Sequence, residues 1–276
     1  VRIRSVGIFN DPNDLALSMV VVIPFLLVAI LERGYGTLAR VASLASLTPL
    51  LIAYYYTNSR GGILGLAACL SVIGWRRFGA KVGPLFIVAG IAGIIAVGPS
   101  RLAEIDAEED SAQGRIQAWG EGLEMLKINP LTGVGFGQWT DYHPLVAHNS
   151  FVQILGELGL FGSLVFNGIV FWYFMAIRRI GSVAAVASTE FRGLQTGFLA
   201  MGAAFFVSVF FLSRQYNPVF YTVIALAASY VSAVCDSDAS AEVAPRAADY
   251  RRIVVITGGF VVAMVVIVRL FAVFGE

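Results

Sequence analysis

Charge is what this sequence has least of. Lys, Arg, Asp and Glu make up 13% of its 276 residues against 58% hydrophobic, and the mean hydropathy is +0.78. Soluble domains carry about 25% charged residues, so this balance excludes an ordinary soluble enzyme. Cysteine is nearly absent as well. Cys69 lies inside one apolar run and Cys235 at the end of another, which excludes a disulfide framework and a zinc site. A net charge of +1 leaves no basic excess for nucleic acid. There is no soluble domain and no internal repeat. The chain starts at Val1 with no charged leader or cleavage site, so a segment whose earlier spans are missing is expected.

What the sequence has in abundance is apolar runs of the length a helix needs to cross a ~30 Å hydrocarbon layer. Eight are read. They are 15–31 (with a kink expected at Pro24), 41–56, a run following the 57–62 turn and ending near Trp75, 82–97, 150–177, 193–212, 219–234 and 253–274. The expected fold is an all-α polytopic membrane protein, with residues 1–276 as one transmembrane domain. The lead-in closes on Asn10-Asp11-Pro12-Asn13-Asp14, a helix-start signal.

One long polar stretch, Arg101 to Ser150, interrupts the spans. It holds eight acidic residues, three basic ones and both histidines of the chain. Within this 100–149 loop, Gly114 to Lys127 reads as an amphipathic helix. Ile116, Trp119, Leu123 and Leu126 share a face, Glu121 and Glu124 lie off it, and Pro130 is the stop. Gly133, Gly135 and Gly137 then alternate, which excludes a regular helix and implies backbone packed closely against something. The fifth span is unusually long and interrupted by Gly156, Gly159 and Gly162.

Orientation follows from the basic residues. Eleven collect on one side (Arg33, Arg40, Arg76, Arg77, Lys81, Arg178, Arg179, Arg192, Arg246, Arg251 and Arg252). Eight fall on the other (Arg2, Arg4, Arg60, Arg101, Arg115, Lys127, Arg214 and Arg269). The positive side is cytoplasmic, so the acidic loop is expected to face outward, which excludes ATP as a substrate there.

Candidates for chemistry each have a plainer reading. Arg60 lies between spans read as 16 and 15 residues, short enough to recess it below the interface, where a charge is usually functional. Otherwise it snorkels to lipid phosphate. Arg115 opens the loop helix, where free N–H groups and a guanidinium suit a phosphate; the alternative is pairing with the acidic run 104–110. That run could hold Mg²⁺ or Ca²⁺, but it has no ligand spacing and reads better as a solvated surface. The Gly133–Gly137 amides could face a phosphate or simply pack; they do not form a dinucleotide fingerprint. His148 precedes Asn149-Ser150, which read as a helix cap, and is either a general base near neutral pH or a structural hydrogen-bonding group. His143 has a weaker claim. Arg214 lies in an outward turn, and Glu157 is either buried and paired or on a substrate path.

The ordered series resembles the O-antigen ligase and polymerase superfamily. It comprises Phe9-Asn10-Asp11-Pro12-Asn13-Asp14-Leu15-Ala16, Thr57-Asn58-Ser59-Arg60-Gly61-Gly62, Gly114-Arg115 with Trp119, Asn129-Pro130-Leu131-Thr132-Gly133-Val134-Gly135-Phe136-Gly137, and His148-Asn149-Ser150-Phe151 with Gly156-Glu157-Leu158-Gly159. Beyond Gly162 only the alternation of spans and loops is alike. The resemblance implies a bacterial inner-membrane glycosyltransferase of GT-C-like helical architecture. Its members move a glycan from an undecaprenyl pyrophosphate carrier to an acceptor hydroxyl on lipid A core, another glycan or a protein in the periplasm. They use no cofactor or metal. By motif, Arg60 and Arg115 match the family's diphosphate-binding arginines and His148 its essential histidine. Arg214 is added by position alone, with Asn149 and Glu157 as supporting residues. Polymerase and protein-glycosylating members are alternatives within the family. A flippase or transporter for an anionic lipid is the alternative outside it.

Overall fold

The computed structural model describes residues 2–97, 112–181, 189–235 and 240–274. Among these residues the regular structure is helical: a short 3₁₀ turn at Gly7–Phe9 and eleven α-helices. They are α1 (Pro12–Leu31), α2 (Thr37–Thr57), α3 (Arg60–Phe78), α4 (Gly83–Val97), α5 (Ala112–Ile128), α6 (Trp139–Tyr142), α7 (Ser150–Ile180), α8 (Thr189–Phe210), α9 (Pro218–Val234), α10 (Ser240–Val243) and α11 (Ala247–Phe274). Helix is the expected outcome for apolar sequence in lipid, where each backbone group must be satisfied within its own segment.

All eight expected spans are helices. Five are long and apolar enough to cross a membrane: Pro12–Leu31, Thr37–Thr57, Ser150–Ile180, Phe191–Phe210 and Ala241–Phe271. Gly83–Gly93 and Pro218–Val234 are apolar but shorter. The chain is therefore an all-α polytopic membrane protein. Some boundaries differ from those read in the sequence. α1 begins at Pro12, not Leu15, because Asp11 caps it by accepting from the Asn13 N–H (2.8 Å) and Pro12 pre-sets the first helical residue. It continues through Pro24. α2 and α3 are 21 and 19 residues long, or about 31 and 28 Å. Both are longer than the 16 and 15 residues read in the sequence; α2 matches the ~30 Å layer and α3 falls just short of it, which weakens the argument that short spans recess Arg60.

The chain divides into two compact units. The first comprises residues 1–97, 173–208 and 216–244. The second comprises residues 98–172, 209–215 and 245–276. In the first, α1 packs on α2 and α3, and α3 on α4. Small residues permit the close approach: a Cβ on Gly90 would fall 2.5 Å from the Ala67 Cβ, and one on Gly65 would fall 2.8 Å from the Ala204 carbonyl.

The second unit is built around the start of α7. Its apolar centre joins Ala118, Leu123 and Met125 of α5, Trp139, Ala147, Val152 and Leu155, and Met264 of α11. α5 starts two residues earlier than expected and ends just before Asn129-Pro130. Glu121 and Glu124 are exposed, as the periodicity predicts.

Candidate functional site

In the second unit, the alternating glycines and the long helix explain each other. α7 is broken at Gly159 (φ 63°, ψ −159°), while Gly156 and Gly162 stay helical. A break leaves carbonyls before it and N–H groups after it without helical partners. Residues 130–135 supply them. Val134 and Gly135 N–H donate to the Gly156 and Glu157 carbonyls (3.0 and 2.8 Å). Leu160 and Phe161 N–H donate to the Pro130 and Leu131 carbonyls (2.9 and 3.0 Å). The two backbones lie so close that a Cβ on Gly133 would meet the Glu157 backbone at 2.4 Å. One on Gly159 would meet Gly133 N and Leu131 C at 2.6 Å. The amides of Val134 and Gly135 are thus committed to α7, which is the packed-turn reading of this glycine run.

Upstream of the break, Asn149 caps α7. Its Oδ1 accepts from Phe151 N–H (2.9 Å) and Val152 N–H (3.2 Å), as read from the sequence. His148, just before the cap, is half-buried between fully buried Ala147 and Asn149. It adopts a left-handed backbone (φ 48°), a conformation that costs a non-glycine residue of order 1 kcal/mol or more.

Two long-range anchors converge on this turn. Trp119 of α5 donates its indole N–H to the Ala147 carbonyl (3.0 Å) and packs edge-on against Phe210. Arg115 lies one turn earlier on the same face of α5 as Trp119. Ser150 donates its hydroxyl to the Leu212 carbonyl (2.7 Å) and accepts from the Arg214 N–H (2.9 Å), and it is fully buried. The turn at His148 is therefore tied to α5, one helical turn from Arg115, and to the backbone of Arg214. Phe151, next in the motif, contacts the rings of Phe166, Phe210 and Phe260.

Glu157 is fully buried and accepts a hydrogen bond from Gln153 Nε2 (3.0 Å), so the buried, paired reading applies. Asn149, Gln153 and Glu157 fall at i, i+4 and i+8, one face of α7. Gln153 escaped the sequence reading, although a polar residue inside an apolar span is itself a signal. The role of Trp119 was missed for a different reason. Its helical spacing accounted for it as a core residue, and nothing local shows where an indole N–H is aimed. His143 is engaged locally: its Nδ1 accepts from the Leu145 N–H (3.2 Å), and Trp139 Nε1 donates to the Leu145 carbonyl (2.8 Å).

Arg60 belongs to the first unit, at the first position of α3 and half-buried. Asn58 ends α2 in a left-handed conformation (φ 52°), and Ser59 caps α3 through the Gly62 N–H (3.1 Å). The lead-in folds onto this turn. Arg2 Nε donates to the Thr57 carbonyl (3.0 Å) and its Nη2 to Asn13 Oδ1 (3.3 Å), joining the Asn10–Asp14 and Thr57–Gly62 motifs. Ser208 donates to the Ala204 carbonyl (2.8 Å) and lies 3.3 Å from the Gly61 carbonyl.

Among the described residues, no three His, Cys, Asp or Glu side chains stand together as a metal ligand set. The acidic run 104–110 and Arg101 lie outside the described residues.

A search of curated proteins finds no match to the chain. A family model described as O-Antigen ligase matches residues 44–167. The match takes in Arg60, Arg115, His148, Asn149 and Glu157. The Phe9–Ala16 motif and Arg214 lie outside it. Over residues 44–167 the chain, a polytopic membrane protein, is therefore similar to the O-antigen ligase family.

Proposed function

We propose that this protein is a metal-independent, inverting glycosyltransferase of the bacterial inner membrane. It moves a glycan from an undecaprenyl pyrophosphate carrier to an acceptor hydroxyl on the periplasmic side, where the 100–149 loop lies. The observation that carries the reading is the pair of anchors at His148. The Trp119 indole on the Ala147 carbonyl and the Ser150 hydroxyl on Arg214 N–H bring an arginine-bearing helix and an arginine-bearing turn to the His148 turn.

In this reading the acceptor oxygen attacks C1 of the carrier-linked sugar while His148 takes its proton. The C1–O bond breaks, its electron pair leaves with the diphosphate, and the anomeric centre inverts. Arg115 and Arg214 balance the diphosphate charge, a role that Arg60 carries by motif alone; guanidinium suits this because it stays protonated and binds phosphate oxygens in pairs. General-base assistance is worth about 10²–10⁴-fold. Asn149 fixes the helix start beside His148, and Glu157 holds Gln153.

The test is transfer by the purified full-length protein from a lipid-linked glycan to each acceptor class: lipid A core, a second lipid-linked repeat and a protein hydroxyl. The class that accepts the glycan separates ligase from polymerase from protein-glycosylating enzyme. Movement of the carrier across a vesicle bilayer without glycan transfer would instead identify a flippase. Loss of transfer in EDTA, restored by Mg²⁺ or Mn²⁺, would overturn the assignment of diphosphate neutralisation to arginine.

A further inference from the structure

The start of α7 and the 209–215 segment hold buried polar atoms with no hydrogen-bond partner. They are Asn149 Nδ2, Gln153 Oε1, Ser213 Oγ and Gln215 Oε1. Asn149 is 0%, Gln215 3% and Gln153 9% exposed. An unpaired buried polar atom costs about 1–3 kcal/mol, and more than nine in ten such groups are satisfied in folded proteins. These four, on segments tied together by Ser150, call for a partner; Ser163 Oγ, farther along α7, belongs to the same unit but not to these segments.

The orientations of the Asn149 and Gln153 amides are set by their satisfied halves. Asn149 Oδ1 accepts two backbone N–H groups, which leaves a donor. Gln153 Nε2 faces the Glu157 carboxyl, which leaves an acceptor; turning it would set oxygen against oxygen. The unpartnered set therefore combines an amide donor at Asn149, an amide acceptor at Gln153, a hydroxyl at Ser213 and the amide of Gln215. None of these four is a cation, and Asn149 and Gln153 share one face at the start of α7, whose cap follows His148 directly. A diphosphate would need donors only. A ligand that both donates and accepts at each group, a polyol, matches the mixture.

We propose that Asn149, Gln153, Ser213 and Gln215 form a subsite for sugar hydroxyls next to the His148 turn. The inference rests on the glycosyltransferase reading and deepens it: the arginines take the diphosphate and this amide cluster takes the saccharide. The sugar is that of the donor or of the acceptor; both present the same hydroxyl chemistry.

Gln215→Leu is the sharpest probe, because it removes an unpaired buried oxygen at nearly constant volume. Such a change leaves the melting temperature unchanged or raises it when the group has no structural partner. Gln153→Leu is the second probe, at a residue that also holds Glu157. Binding of the full-length protein is measured for undecaprenyl pyrophosphate with and without its glycan, and steady-state transfer gives the acceptor KM. The expected result is a loss of a few-fold to ~10-fold in affinity for one sugar-bearing substrate. Binding of the bare carrier stays unchanged. Loss confined to the glycan-bearing carrier assigns the donor sugar, and a rise confined to the acceptor KM assigns the acceptor sugar. Equal losses for bare and glycan-bearing carrier, a falling melting temperature with both, or no change for either sugar-bearing substrate would overturn the subsite. If the wild-type protein binds neither carrier, the glycosyltransferase reading fails and takes the subsite with it. If it binds both carriers and all acceptors without regard to sugar, only the subsite fails.

Discussion

Two turns, one in each unit, are built on the same backbone plan and used differently. Asn58-Ser59-Arg60 and His148-Asn149-Ser150 each run from a left-handed residue to a capping residue to the first residue of a helix. Asn58 and His148 are the only non-glycine residues with positive φ among those described. The first turn combines local bonds, Thr57 Oγ1 to the Tyr54 carbonyl (2.7 Å) and Gly62 N–H to the Ser59 hydroxyl (3.1 Å), with distant ones from Arg2 to Thr57 and Ser208 to Gly61. The second is held by partners far along the chain, Trp119 on one side and Leu212 and Arg214 on the other. Asparagine tolerates the left-handed region because its short side chain bonds locally. Histidine is also found there more often than most residues, but its ring lacks the short amide arm that lets asparagine bond its own backbone. The difference teaches that a turn becomes a candidate site when long-range bonds hold a residue the local backbone would not choose.

The largest expected effect breaks the comparison at its centre. His148→Gly relieves the left-handed strain, so the protein should melt at the same temperature or higher while transfer falls by at least ~10²-fold. Full turnover by this variant in a purified assay would return His148 to the role of a helix-start neighbour.

Next is the break that distinguishes the second unit. Gly159→Ala forces a Cβ within 2.6 Å of Gly133 N at a φ of 63° and disturbs the four backbone bonds joining 130–135 to α7. A destabilisation on the order of 3 kcal/mol or more is expected, read as a lowered melting temperature or rapid proteolysis in detergent. A variant that melts like the wild type would mean that the strand-like pairing is dispensable.

A smaller effect compares the arginines of the two units. Arg60→Ala and Arg115→Ala should each weaken binding of the bare carrier by about 10–100-fold, the worth of one or two charge-assisted hydrogen bonds. Their melting temperatures should barely move. If only one of the two weakens binding, the diphosphate is held by that unit's motif alone.

The smallest effect is at Asn58. Asn58→Gly keeps the left-handed turn and should change stability by a few tenths of a kcal/mol at most, with transfer unchanged. Asn58→Val, β-branched at φ 52°, should cost about 1–3 kcal/mol. Equal melting temperatures for the Gly and Val variants would remove the parallel between the two turns.

The sequence by itself determined the helical membrane class and the approximate place of each helical span. Apolar length is a local property that lipid enforces, and caps such as Asp11 and Asn149 act within three residues of their own position. It also showed that the alternating glycines at 133–137 had to lie against something. Only the tertiary structure decided what that was. The pairing of 130–135 with the Gly159 break, the Ser150 link to Arg214 across 64 residues and the Trp119 bond to Ala147 all end on backbone groups. Every residue carries a carbonyl and nearly every one an N–H, so no side-chain pattern marks which of them a distant partner will reach. The unpartnered amides of Gln153 and Gln215 were hidden for the same reason: whether a polar atom is satisfied depends on what the fold brings to it, not on its place in the chain.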